Sequence, residues 1–168
     1  IGNGYALTAV IGKREVMEYA QASFISSTFW SERIGPAASL KTLEIMEREK
    51  SWEVISSTGN KIKTKWLDLF DAYGLKIKIS GLSALPMFNI ESENSLAYKT
   101  FITQEMLKAG YLASNTIYVC TEHKYSTLEK YFNELEKVIK FISECENGKD
   151  INDFLEGPVC HSGFKRLN

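Results

Sequence analysis

Hydrophobic positions along the chain change period several times, and the changes mark its elements. Residues 6–11 are apolar on both alternating faces, the pattern of a short strand covered on both sides, and Gly12 ends it. Positions 14–20 fit a short helix, and the polar stretch 23–31, with Ser26, Ser27 and Thr28, reads as a loop. Ile34, Ala38, Leu43 and Met46 then recur near helical spacing up to about Glu49, with Pro36 early, where a missing backbone donor costs least. A second helix is expected from Ser51, taken as its cap, through Trp52, Ile55, Ile62, Trp66, Leu69, Phe70 and Tyr73, and Gly74 should stop it.

Beyond Gly74 the period drops to two. Leu75, Ile77 and Ile79 alternate with Lys76, Lys78 and Ser80, and residues 85–90 are the expected hairpin partner beyond Gly81. Helical spacing returns in Tyr98, Phe101, Ile102, Glu105 and Ala109 with a stop at Gly110, and a third strand is expected over 116–120. The last long helix carries Leu128, Tyr131, Phe132, Leu135, Val138, Ile139 and Ile142 on one side, and Ser126 with Glu129 has capping-box spacing. Asp150 is placed to cap a final short helix, and residues 158–168 read as a tail. The expected class is therefore α/β: a piece of a sheet, a connecting helix and, from Lys50, a compact α+β unit of about three strands and three or four helices.

Composition narrows the function classes. With 168 residues, 44% of them hydrophobic and 24% charged, the chain is globular in character. Its net charge of -1, with acidic and basic residues scattered together, offers no basic stripe for a nucleic acid. No apolar run reaches spanning length and the start lacks signal-peptide order, so a cytoplasmic protein with no membrane partner is expected. Cys120, Cys145 and Cys160 are odd in number and show no metal-ligand spacing, which argues against a disulfide framework or a zinc site and fits a reducing compartment.

Candidate chemistry is sparse. His123 and His161 stand far apart, and no Gly-x-Ser-x-Gly elbow accompanies them. Cys160 and His161 are adjacent, so their side chains point apart, and they fall in the expected tail. Glu134, Glu136 and Lys137 belong to the solvated face of a helix. Ser27 and Thr28 differ, because a hydroxyl loop running into a helix amino terminus suits an anion such as phosphate; ordinary turn and capping chemistry is the alternative. Gly2-Asn3-Gly4 taken alone is a tight turn. The chain opens in that turn directly ahead of the apolar run 6–11, and further polypeptide is expected upstream of Ile1.

Two segments change this picture together. Ile1-Gly2-Asn3-Gly4-Tyr5-Ala6-Leu7-Thr8-Ala9-Val10-Ile11-Gly12 resembles the stretch after the Schiff-base lysine of class III pyridoxal-phosphate (PLP) dependent aminotransferases. Ser26-Ser27-Thr28-Phe29-Trp30-Ser31-Glu32-Arg33-Ile34-Gly35-Pro36-Ala37-Ala38 resembles their later Thr loop and helix, in matching order and spacing. The 102–107 and 110–113 segments look like the small domain of that family, and the nearest resemblance is to glutamate-1-semialdehyde 2,1-aminomutase and amino-sugar-pathway variants.

The resemblance implies a carboxyl-terminal part of a fold type I PLP-dependent transferase. Residues 1–30 would belong to the large cofactor-binding domain, 31–49 would form the connecting helix, and 50–168 the small domain and tail. It implies a homodimer, in which Ser27 and Thr28 contact the phosphate of the other subunit's PLP while Asn3, Gly4 and Tyr5 lie near the cofactor. Asn115 and Thr116, at the turn into the third strand, are the candidate substrate-facing residues, an ordinary polar surface loop being the alternative, with small-molecule amino donors and acceptors as partners. The lysine of the covalent step would stand two residues before Ile1, so this chain alone is expected to be inactive. Many class III enzymes carry Gly-Asn-Pro where this chain has Ser31-Glu32-Arg33, though the Ser-Glu-Arg form suits the aminomutase-like branch. A different class of reading is a non-catalytic binding or dimerisation module; a third is the same cofactor used for decarboxylation or racemisation.

Overall fold

A computed structural model describes residues 1–163, which fall into two compact units, Ile1–Ser51 and the remainder from Trp52. Of the tail expected over 158–168, residues 164–168 lie outside the described residues.

In the first unit a turn forms where Gly and Asn permit it. Asn3 (φ 48) and Gly4 (φ 107) take the left-handed region, which these two residue types enter most cheaply, and the Tyr5 N–H donates to the Gly2 carbonyl at 3.2 Å. The strand expected over 6–11 is not formed. A strand needs a neighbour to satisfy its backbone groups, and none pairs with this segment among the described residues, where Val10 and Ile11 stand exposed. Helix α1, Arg14–Met17, runs on as a tighter turn over Glu18–Ala22. Helix α2, Ile34–Glu49, ends at Lys50, whose φ of 47 breaks the helical path. Gly35 in its first turn is buried, and a Cβ there would come within 2.5 Å of the Ala6 carbonyl oxygen. Only glycine lets the helix and the 6–7 segment approach so closely.

The second unit is built on helix α3, Ser51–Ala72, which starts on the last residue of the first. The capping role expected of Ser51 is corrected: its buried hydroxyl has no hydrogen-bond partner among the described residues. Gly74 (φ 69) stops the helix as expected, with the Leu75 N–H returning to the Phe70 carbonyl at 2.9 Å. Strands β1, Ile77–Ser80, and β2, Met87–Ile90, pair antiparallel, with Ile77 opposite Ile90 and Ser80 opposite Met87. The expected third strand is reduced to an edge segment. Thr116 bridges Met87, and the Phe88, Ile117 and Val119 N–H groups donate to the Asn115, Pro86 and Ala84 carbonyls, respectively, at 3.0–3.1 Å.

Helices α4, Ser95–Lys108, and α5, Tyr125–Glu146, complete the unit with a short turn over Ile151–Phe154. The capping box of Ser126 and Glu129 is absent, because α5 begins one residue before Ser126; the Tyr125 hydroxyl meets Glu129 at 3.2 Å instead. Asp150 does cap its turn, accepting from the Asn152 N–H at 2.9 Å. The stretch after it is held along α4. Gln104 bonds both the Phe154 carbonyl (3.0 Å) and the Glu156 N–H (2.8 Å), Lys108 pairs with Glu156 at 2.7 Å, and the Thr100 hydroxyl accepts from the Cys160 N–H at 2.9 Å.

One core joins these elements. Phe88 of β2 meets the edge of Trp66 at 4.8 Å between ring centres and Phe70 at 5.0 Å, while Tyr98, Ile102 and Met106 of α4 and Leu135, Ile139 and Ile142 of α5 are fully enclosed. Each such side chain contributes roughly 1.5–3 kcal/mol of burial. The Trp66 indole N–H donates to the buried Tyr131 hydroxyl at 3.3 Å, so neither polar atom is stranded. Gly59 of α3 sits against the backbone of Ser83, and the loop is held there by Ser83 donating to Asn60 at 2.7 Å and Lys63 donating to the Gly81 carbonyl at 2.9 Å.

Candidate functional site

The loop before α2 is organised by its own short-range bonds. The Ser27 Oγ accepts from the Phe29 N–H at 3.3 Å, and the Phe29 carbonyl accepts from the Glu32 N–H at 3.1 Å. Glu32 then reaches forward: Oε1 accepts from the Ile34 N–H at 2.7 Å and Oε2 from the Gly35 N–H at 3.1 Å. Pro36 has no N–H, and the Ala37 N–H bonds the Arg33 carbonyl at 3.1 Å. All four amino-terminal backbone positions of α2 are therefore accounted for. The helix end that made this loop suit an anion already holds a carboxylate, which corrects the argument though not the position of the hydroxyls. Ser27 and Thr28 are exposed, and the Ser27 proton is free to donate because only its oxygen is engaged.

Within the same unit Asn3, Gly4 and Tyr5 form the exposed turn just ahead of Ala6. The close approach of Gly35 to Ala6 and Leu7 links that segment to the start of α2, seven residues after Thr28. Glu32 was not singled out from the sequence as a cap. Its signal is an acid two residues before the first helical position, with Pro36 marking the first turn.

Asn115 and Thr116 have separate surroundings in the second unit. Asn115 is only 6% exposed, and its amide donates both to the Phe88 carbonyl (2.9 Å) and to Asn89 Oδ1 (3.2 Å), so both donors are committed to the sheet. Thr116 lines a hollow of about 270 Å³ with Tyr111, Tyr118 and His123. The His123 Nδ1 accepts from the Cys120 N–H at 3.3 Å, closing a local turn. Cys160 donates its thiol to the Leu96 carbonyl at 3.6 Å, and all three cysteines are free. Burial pushes the Cys145 thiol up from its ordinary pKa, which keeps it protonated. A groove of about 660 Å³, not evident from the apolar periodicity, runs between α3 and α5, lined by Ile62, Leu128 and Phe132 and edged by Lys61, Lys65 and Glu129.

No family model matches the chain. It is 30% identical over 105 residues to 3-aminobutyryl-CoA aminotransferase of Cloacimonas acidaminovorans, covering 62% of this chain and 25% of that protein. Against 2'-deamino-2'-hydroxyneamine transaminase of Streptomyces kanamyceticus the identity is 27% over 139 residues, covering 78% and 34%. Glutamate-1-semialdehyde 2,1-aminomutase of Hyperthermus butylicus is 23% identical over 159 residues, covering 83% and 37%. The chain is similar to one portion of the class III aminotransferases. It matches only about a quarter to a third of the length of the first two.

A likeness is also seen in three dimensions. The FumI protein of a Sphingopyxis species, solved in its PLP internal aldimine form, superposes with a TM-score of 0.76 at 16% identity, over 91% of this chain and 37% of that one. The chain thus shares the fold of part of a PLP-dependent aminotransferase, as the motifs at 1–12 and 26–38 imply. Among the described residues no helix is long and apolar enough to cross a membrane.

Proposed function

We propose that the chain is part of a PLP-dependent aminotransferase or aminomutase of class III, acting on a small amino-group donor and acceptor of the glutamate-1-semialdehyde or amino-sugar kind. In this reading residues 1–30 belong to the large domain, 31–49 connect, and 50–168 form the small domain and tail, within a cytoplasmic homodimer. The observation that carries it is the joining of the two motif segments in one unit by Gly35 against Ala6. Exposed Ile11, Phe24 and Trp30 in that unit suit a segment covered by further protein.

PLP, when bound, supplies the electron sink that amino-group transfer requires. The residues here fit its phosphate. Ser27 has an uncommitted proton and Thr28 an exposed hydroxyl, and together they would hold the phosphate of the partner subunit's cofactor. Asn3, Gly4 and Tyr5 would stand beside the ring-bearing side of the site. Of the two substrate-facing candidates Thr116 is the one with a free face, while Asn115 serves by fastening the segment that carries it. The covalent step belongs to the lysine that the resemblance assigns two residues ahead of Ile1.

The test is spectroscopic and kinetic. The longer polypeptide carrying the residues ahead of Ile1 should retain PLP through gel filtration and transfer an amino group from at least one donor of a panel. A protein that retains no cofactor overturns the reading. The groove between α3 and α5 favours a second one, a binding or dimerisation module, for which oligomeric state should be indifferent to PLP.

A further inference from the structure

We infer that Glu32 is a positioning residue for the phosphate-facing loop. The inference rests on the reading of Ser27 and Thr28 given above and adds a residue to it. Three consecutive links run from the loop into the helix: the Phe29 N–H to Ser27 Oγ at 3.3 Å, the Glu32 N–H to the Phe29 carbonyl at 3.1 Å, and the Ile34 and Gly35 N–H groups to the Glu32 carboxylate at 2.7 and 3.1 Å. Each link fixes the backbone of the next, so the orientation of Ser27 is set from α2 through Glu32.

The same carboxylate decides what an incoming anion can use. An open helix amino terminus competes for phosphate through its free N–H groups and partial positive charge. Glu32 neutralises that charge and takes the two N–H groups, Pro36 supplies none, and the Ala37 N–H is engaged by Arg33. The phosphate is thereby left to the hydroxyls of Ser27 and Thr28. Glu32 touches neither cofactor nor substrate and acts only through the loop.

The experiment uses the full-length holoenzyme, with dissociation constants for PLP and for pyridoxal, which lacks the phosphate, and amide exchange at Ile34 and Gly35. Glu32→Ala should speed exchange at both amides and raise the PLP Kd on the order of fivefold to tenfold, as loss of a helix cap would. The pyridoxal Kd should not move, and Glu32→Gln, which keeps one acceptor oxygen, should fall between and serves if the alanine variant does not fold. An unchanged PLP Kd in both variants, while Ser27→Ala with Thr28→Ala weakens PLP, overturns the inference and leaves the phosphate reading intact. Equal weakening of PLP and pyridoxal overturns it as well. If the double hydroxyl variant binds PLP as the parent does, the phosphate reading itself falls.

Discussion

Tyr98 donates its hydroxyl hydrogen to Glu146 at 2.6 Å, tying the first turn of α4 to the last turn of α5, and Ser92 donates to the same oxygen at 2.7 Å. The ring is fully enclosed, and burial first, then the bond to Glu146, pushes the phenol from 10.0 up to about 12. Burial drives the Tyr131 phenol in the same direction.

This gives a pH dependence with a definite sign. The folded state holds the phenolic proton more tightly than the unfolded state, so the contribution is complete below pH 10 and is lost as pH rises toward 12. Urea midpoints should fall through that window. In Tyr98→Phe the fall should be shallower. At neutral pH the variant should lose about 1–2 kcal/mol, because a hydrogen bond to a carboxylate is removed.

Asn115 gives the second prediction. Its amide satisfies the Phe88 carbonyl and Asn89 in a nearly sealed environment. Asn115→Ala should destabilise the protein by about 2–3 kcal/mol in chemical denaturation without any substrate present. Asn115→Asp should cost at least as much, since a carboxylate offers those two acceptors no donor. Unchanged stability in both variants would return Asn115 to a purely substrate-facing role.

Gly59 should reverse the usual effect of a helical glycine. Replacing an exposed mid-helix glycine by alanine gains about 1 kcal/mol from propensity. At position 59 the new Cβ would stand 1.7 Å from the Ser83 carbonyl oxygen, a backbone atom that no rotamer change can move. Gly59→Ala should therefore lose about 1–3 kcal/mol, seen as a lower melting temperature.

How much of this was legible depends on where each signal resides. The long helices were, because the apolar faces of α3 and α5 repeat through Ile62, Trp66 and Phe70 and through Leu135, Ile139 and Ile142, and periodicity is local information. The strand read over 6–11 is not formed, since pairing depends on a neighbour that the apolar pattern of the segment does not supply. Caps were mixed. Asp150 follows the rule of a short acceptor side chain ahead of its turn, whereas Ser126 has the right spacing but lies inside α5. At the site, the hydroxyls of Ser27 and Thr28 were visible by type, but Glu32 was not, because it caps from two and three residues away and outside the usual Ser, Thr, Asp or Asn pattern. Asn115 was visible as a polar residue at a strand entry; only the fold shows that its donors are spent on β2.

The central claim is that the chain serves a PLP-dependent transferase, and one labelling experiment bears on it most directly. The longer polypeptide is loaded with PLP, reduced with borohydride, digested and mapped by mass spectrometry. A stoichiometric label on a lysine two residues ahead of Ile1 is the predicted result. Absence of label, or a label confined to surface lysines such as Lys61 or Lys65, would contradict the account.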